Sequence, residues 1–289
     1  MALILEVHAY SSRVLNHNST IRNVHFHFMT LAQSMVHTLD PFAWQLSDAF
    51  GIRWYGLAYL TGFVVAWLIL KWLSSTGRVL IRPNQVADFF TWLIVGVLVG
   101  GRLGYVLLYS PDLLWTFSGA FPFWGVLEIH KGGMASHGGM IGVIVASIFF
   151  ARKAAVPAWH VLDITAFLAP PGLGLGRVAN FVNGELWGKP LPKSMHAQPP
   201  WWSVKYPDEL TIDTFPRGPE VDVLIPMVQV TPTETGRLAL RDAAYAGRTD
   251  VVDAIAPYLT PYYPSQLFQA ASDGAVLLMA LILVWLMPR

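Results

Sequence analysis

The sequence predicts an all-α integral membrane protein, a polytopic helical bundle that carries a polar head segment outside the membrane. Hydrophobic residues make up 54% of the 289 residues and charged residues 13%, against about 25% charged in ordinary soluble domains. The mean hydropathy is +0.46. The 12 Trp and 10 Tyr belong to the residue types that favour membrane–water interfaces.

Five apolar segments approach the length of about 20 residues that a bilayer requires. They cover residues 54–73, 87–109, 136–151, 159–182 and 264–286. We therefore predict four regions. They are an N-terminal extension at 1–40, with Met29 and Met35 as alternative starts; membrane helices one to four with a lipid site at 41–185; an extracytoplasmic head at 186–262; and a fifth membrane helix at 263–289.

Basic residues in the loops predict the orientation of these spans. Lys71, Arg78 and Arg82 follow the first span and Arg152 and Lys153 follow the third, with no acid in either loop. Cytoplasmic loops carry such an excess of Lys and Arg. This pattern places the N-terminus and the head outside and the C-terminus inside.

Charge and cysteine content exclude several classes of function. The net charge of +1 argues against a nucleic-acid footprint. The absence of cysteine excludes disulfides, thiolate metal sites and a cysteine nucleophile from this chain. Five histidines fall within residues 1–40 without acidic partners at ligand spacing, so we predict no metal site there.

The most informative stretch is GLGLGRVANFVNGELWG at 172–188, which places polar side chains at the end of an apolar run. Arg177 and Asn180 are three residues apart and share one face of a helix. Asn183 extends that row, and Glu185 follows near the water boundary. Ionisable groups at membrane depth cost roughly 2.5–3.5 kcal/mol each and usually mark a working site.

Other spans bring polar residues to the same depth, near the outer surface of the membrane. His137 begins the third span, Tyr55 begins the first, and Arg102 lies in the outward half of the second. Arginine binds phosphate bidentately, and a neutral imidazole can accept a proton near neutral pH. The combination predicts a site for a phosphate-bearing lipid at which a proton is transferred.

Each of these residues also has a structural interpretation. Arg102 could connect helices by bonding backbone carbonyls, since a buried charge always needs a partner. His137 could be a helix cap or an interhelical hydrogen bond, and Tyr55 an aromatic-belt residue. The functional interpretation depends on the convergence of these residues at one level.

Five ordered segments resemble the prolipoprotein diacylglyceryl transferase family. GRVANFVNGELWG at 176–188 is similar to the family signature. The other segments are RWYGLAYLTGF at 53–63, GGRLGYVLLY at 100–109, GGMASHGGMIGV at 132–143 and YPSQLFQ at 263–269. The resemblance runs from about residue 41 to the end of the chain.

The resemblance implies an activity and a location. Family members transfer the diacylglyceryl group of phosphatidylglycerol to the thiol of the lipobox cysteine of a prolipoprotein, without metal or cofactor, in the bacterial cytoplasmic (inner) membrane. By resemblance, His137 activates the thiol and Arg177 holds the phosphate. Asn180, Asn183 and Glu185 shape its surroundings, and Tyr55 and Arg102 line the lipid site.

The chain also departs from the family pattern. The family has seven membrane helices, two of which follow the span containing PSQL, and the chain resembles a member without them. We therefore expect either a second chain that supplies these helices or a self-association that covers the same side, or else low activity and poor stability. The other expected partners are the lipid bilayer and the two substrates. An inactive or split relative that binds lipid or prolipoprotein without transfer and a small lipid transporter are the alternatives.

Overall fold

The structure, a computed structural model, describes residues 34–47, 50–119, 121–230 and 235–287. Most of the predicted extension, with His8, His17, His25 and His27, lies outside these residues. The strands are β1 (Met35–Val36), β2 (Phe42–Ser47), β3 (Phe50–Arg53) and β4 (Val204–Lys205). The helices are α1 (Trp54–Ser75), α2 (Val86–Leu108), α3 (Ser136–Ala154), α4 (Ala158–Val182), α5 (Gly218–Val221), α6 (Gly236–Tyr245), α7 (Thr249–Ile255), α8 (Ser265–Gln269) and α9 (Leu277–Leu286), and the π-helical segment Ala270–Val276 joins the last two.

Helices account for most of the described chain, and three stretches are long and apolar enough to cross a membrane. These stretches are Trp54–Ser75, Pro83–Leu108 and Ser265–Leu286. The predicted third and fourth spans form the helices α3 and α4, but neither meets the same measure of length and hydropathy. Polar residues at the ends of α3 and along α4 lower their hydropathy. The number of spans stays a prediction.

Close helix crossings at glycine hold the membrane helices together. A methyl group at Gly100 or Gly142 would collide with the backbone of the facing helix, so α2 and α3 pack backbone to backbone. A Cβ at Gly174 would lie 3.0 Å from the Cα of Gly274, where α4 crosses the final helix. Membrane helices commonly associate through small residues in this way. These crossings fix the position of α4, which carries the predicted phosphate residues.

Pro170 and Pro171 do not interrupt α4, which is continuous from Ala158 to Val182. Proline lacks the backbone N–H of a helical residue. Membrane helices tolerate it because neighbouring helices and local adjustments satisfy the freed carbonyls. The polar row that follows the two prolines therefore stays on one helix.

A separate apolar core stabilises the head. It is formed by side chains from α5, α6, α7 and the adjacent turns, namely Leu210, Phe215, Val221, Leu240, Ala244, Val251, Ile255 and Leu259. The strand β1 pairs in parallel with β4, so residues just before position 40 contribute to this part of the molecule. The boundaries of the four predicted regions, after residues 40, 185 and 262, stay predictions.

Candidate lipid-headgroup site

The turn after α4 brings three predicted residues together. The side-chain amides of Asn180 and Asn183 both donate to Oε1 of Glu185, at 3.1 and 3.2 Å. Gly184 has φ +65°, a conformation that glycine adopts at low cost, and it reverses the chain so that Glu185 returns toward Asn180. The buried Oδ1 of Asn183 has no hydrogen-bond partner among the described residues. The turn thus presents the exposed carboxylate of Glu185 in an orientation that two amides fix.

Arg177 lies one helical turn before Asn180 and is partly buried. Its guanidinium forms no hydrogen bond or ion pair with any residue in the described part of the chain. Tyr59 lies within electrostatic range of both Arg177 and Glu185. A partly buried guanidinium needs an acceptor, so Arg177 is available to an anionic ligand.

Tyr55 reaches this site through Tyr59, which the sequence analysis did not identify. The Tyr59 hydroxyl donates to the Tyr55 hydroxyl at 3.0 Å, and the ring centroids are 4.8 Å apart. The two tyrosines are four residues apart on α1 and therefore share one face of it. That spacing was the signal in the sequence that could have identified Tyr59.

Two further side chains fix the backbone of the turn. Gln266, 1% exposed, donates its side-chain amide to the Glu185 carbonyl at 2.7 Å. The indole Nε1 of Trp187 donates to the Gly184 carbonyl at 2.6 Å. The YPSQLFQ segment therefore supports the site through Gln266, a role that the motif alone did not reveal.

Arg102 makes a different set of contacts. It is 5% exposed, and it donates to four backbone carbonyls, those of Gly125, Val126, Gly132 and Gly133, at 2.6, 2.7, 2.7 and 3.0 Å. These bonds correspond to the structural interpretation of Arg102, in which it holds the loop between α2 and α3. Its predicted contact with a lipid headgroup stays a prediction.

His137 is the second residue of α3, and its side chain is exposed. The adjacent Gly138 is buried against α2, and Ala135 donates its backbone N–H to the Gly101 carbonyl at 2.9 Å. The loop held by Arg102 leads directly into this helix start. His137 is thus fixed in position while its imidazole remains accessible.

The predicted residues therefore form two groups. One contains Tyr55, Arg177, Asn180, Asn183 and Glu185, and the other contains Arg102 and His137. Within the described ranges, no hydrogen bond or ion pair joins the groups. A metal cluster of three or more His, Asp or Glu side chains is also absent from those ranges.

Comparison with known proteins identifies the family. Residues 41–289 match the prolipoprotein diacylglyceryl transferase family. A phosphatidylglycerol–prolipoprotein diacylglyceryl transferase of Bdellovibrio bacteriovorus is 41% identical over 279 residues, which are 88% of this chain and 77% of that protein. The relative of the same name in Phenylobacterium zucineum is 34% identical over 252 residues, 85% of this chain and 69% of that protein. The one in Solidesulfovibrio magneticus is 45% identical over 172 residues, 58% of this chain and 59% of that protein.

These relatives are bacterial, and the apolar helices make this chain a membrane protein like the family it matches. The match covers the α4 turn, Arg102 and His137. The predicted family and the all-α membrane fold are thereby confirmed. With residues 41–289 matched and two relatives aligned over more than four fifths of its length, this chain belongs to the prolipoprotein diacylglyceryl transferase family.

Proposed function

We propose that this protein transfers the diacylglyceryl group of phosphatidylglycerol to the lipobox cysteine of a prolipoprotein. The cysteine sulfur forms a thioether bond to the terminal glyceryl carbon of the diacylglyceryl group. The bond between that carbon and the phosphate oxygen breaks, and glycerol phosphate leaves with the bonding electron pair. The thiol proton passes to a base on the enzyme. The names of the relatives support both substrates.

The observation that carries this proposal is the guanidinium of Arg177 beside the turn after α4, which has no hydrogen-bond or ion-pair partner among the described residues. The departing phosphate gains negative charge as the carbon–oxygen bond breaks. A guanidinium in a water-poor site stabilises such charge strongly and binds two phosphate oxygens at once.

The imidazole of His137 supplies the base in this proposal. It is accessible at the start of α3 and belongs to the group that contains Arg102. The substrates connect the groups, because the lipid phosphate binds at α4 while the cysteine thiol approaches α3. Holding two reactants in a fixed relative orientation contributes much of the rate gain in such reactions.

The distribution of Lys and Arg supports an orientation in the bacterial cytoplasmic (inner) membrane. We place the N-terminus, the head and the α4 turn outside and the C-terminus in the cytoplasm. The prolipoprotein then meets the enzyme at the outer leaflet. Labelling of single cysteines introduced at Lys193 in the head and Arg78 in the predicted cytoplasmic loop tests this orientation.

A transfer assay tests the activity. The purified full-length chain is mixed with phosphatidylglycerol vesicles and a lipobox peptide, and the products are measured by mass spectrometry. We expect the peptide to gain one diacylglyceryl group and glycerol phosphate to appear in equal amount. A peptide with serine in place of cysteine and vesicles without phosphatidylglycerol are the controls. Lipid binding without product would instead identify an inactive relative, and peptide-independent movement of lipid between leaflets would identify a transporter.

A further inference from the structure

His37 lies on the inner side of the α4 turn and is completely buried. Its ring packs among three aromatic rings, with centroids 5.6 Å from Phe181, 5.3 Å from Tyr206 and 6.2 Å from Tyr245. Its backbone N–H donates to the Lys205 carbonyl at 2.8 Å, just beyond the pairing of β1 with β4. His37 therefore connects the head to the end of α4, although it precedes the residues that match the family.

The imidazole makes one hydrogen bond to the last turn of α4. Its Nε2 lies 2.7 Å from the carbonyl oxygen of Phe181. A carbonyl only accepts, so Nε2 carries the proton. Nδ1 is buried without a hydrogen-bond partner among the described residues, which fits a neutral ring with a bare Nδ1. Carbonyls in the last turn of a helix lack helical partners, and His37 supplies a donor to one of them.

The same ring also contacts the other end of the turn. The Phe181 carbonyl accepts a second bond from the backbone N–H of Gly184 at 3.0 Å. A Cβ placed on Gly184 would lie 3.0 Å from Cε1 of His37 and 3.2 Å from its Nδ1. His37 thus bonds Phe181 and lies against Gly184. The turn between them carries Asn183 and leads to Glu185.

We propose that His37 is a positioning residue that sets the affinity of the α4 turn for the glycerophosphate headgroup of the lipid. This inference rests on the proposed function. His37 does not touch the substrate. It acts by holding the Phe181–Gly184 backbone, so that the amides of Asn180 and Asn183 both meet the carboxylate of Glu185.

Two substitutions at His37 and one control test this role. His37→Phe keeps the ring volume and removes the donor, whereas the side-chain amide of His37→Gln can replace Nε2. His196 is the matched control, because its ring nitrogen bonds the Leu191 carbonyl at 2.8 Å away from the turn. We expect His37→Phe to raise the KM for phosphatidylglycerol about tenfold and to leave the KM for the lipobox peptide unchanged. His37→Gln should restore most of the lipid affinity, and His196→Phe should change neither KM.

A smaller folded fraction alone lowers the maximal rate without changing KM, so the lipid KM separates positioning from folding. A lipid KM for His37→Phe within twofold of the wild type would overturn the proposal, and so would an equal rise for His196→Phe. Hydrogen exchange of the Gly184 and Glu185 amides gives a readout that needs no activity. If the wild type transfers no lipid, the proposed function fails, and an exchange rate that His37→Phe leaves unchanged would then overturn the role of His37 as well.

Discussion

Asn180 donates its side-chain amide to Oε1 of Glu185 at 3.1 Å, across the turn that ends α4. Asn183 donates to the same oxygen, so two amides orient one carboxylate. Residues in one hydrogen-bond network show coupled mutational effects of about 0.5–3 kcal/mol. We therefore expect Asn180 and Glu185 to act as a unit in the proposed reaction.

A double-mutant cycle measures this coupling. We expect Asn180→Ala and Glu185→Ala each to lower kcat/KM, and the double variant to lose at least about 0.5 kcal/mol less than the sum of the two. The four kcat/KM values of the cycle give the coupling energy. The pair Asn180→Ala and Lys193→Ala is the control, because Lys193 is an exposed residue of the head. Additive effects at Asn180 and Glu185 would contradict a functional unit.

Arg102→Lys should destabilise the protein. An ammonium group cannot reproduce the planar fork of donors, and carbonyls left without a partner cost about 1–3 kcal/mol each. A loss of about 2 kcal/mol corresponds to a fall of about 4–8 °C in the thermal midpoint, measured in detergent. Arg78→Lys is the control, because Arg78 stacks on an exposed Trp72 ring. An unchanged midpoint with a raised lipid KM would instead make Arg102 a headgroup ligand.

His137→Gln should abolish or greatly reduce transfer. If the imidazole accepts the thiol proton, the glutamine amide cannot replace it, because an amide is not a base at neutral pH. Single-turnover rates of the two proteins provide the test. A variant with the wild-type rate would show that His137 only packs the start of α3.

The stability of the head should depend on His37 in mild acid. Burial lowers the pKa of His37, and the hydrogen bond to the Phe181 carbonyl and the charge of Asp208 offset only part of this effect. The unfolded chain therefore binds a proton near pH 6.5 while the folded chain binds it at lower pH. Stability from this residue is complete above about pH 6.5 and is lost as the pH falls from there toward the folded pKa.

Thermal midpoints between pH 4.5 and pH 8 test this dependence. His37→Gln should flatten the acidic part of the curve, and His196→Gln should leave it unchanged. The nearby Tyr206 and Tyr245 have raised pKa values because they are buried, so they stay neutral across this range. An equally steep curve for His37→Gln would rule out His37 as the source.

The sequence allowed the polar row of α4 to be predicted, because residues three apart lie near each other on a helix. Arg177, Asn180 and Asn183 repeat every three residues, and Glu185 follows at the helix end. Such local spacing can be recognised in the amino-acid sequence itself. The hydrogen bonds of both amides to Glu185 also require the reversal of the chain at Gly184.

Contacts between distant segments could not be predicted in the same way. Arg102 binds carbonyls more than 20 residues away, and His37 meets Phe181 across 144 positions. No periodicity in the sequence encodes these pairings, because tertiary packing creates them. The continuity of α4 through Pro170 and Pro171 also depends on neighbouring helices.

The most direct test of the central proposal is the transfer rate of Arg177→Lys. We expect it to lose at least about 100-fold in kcat/KM for phosphatidylglycerol, because the ammonium cannot bind two oxygens of the departing phosphate. Arg152→Lys is the matched control, because Arg152 is an exposed residue in the last turn of α3, and this variant should transfer at the wild-type rate. Both variants should unfold at the wild-type temperature. Near-normal transfer by a folded Arg177→Lys would contradict the assignment of Arg177 as the phosphate-binding residue.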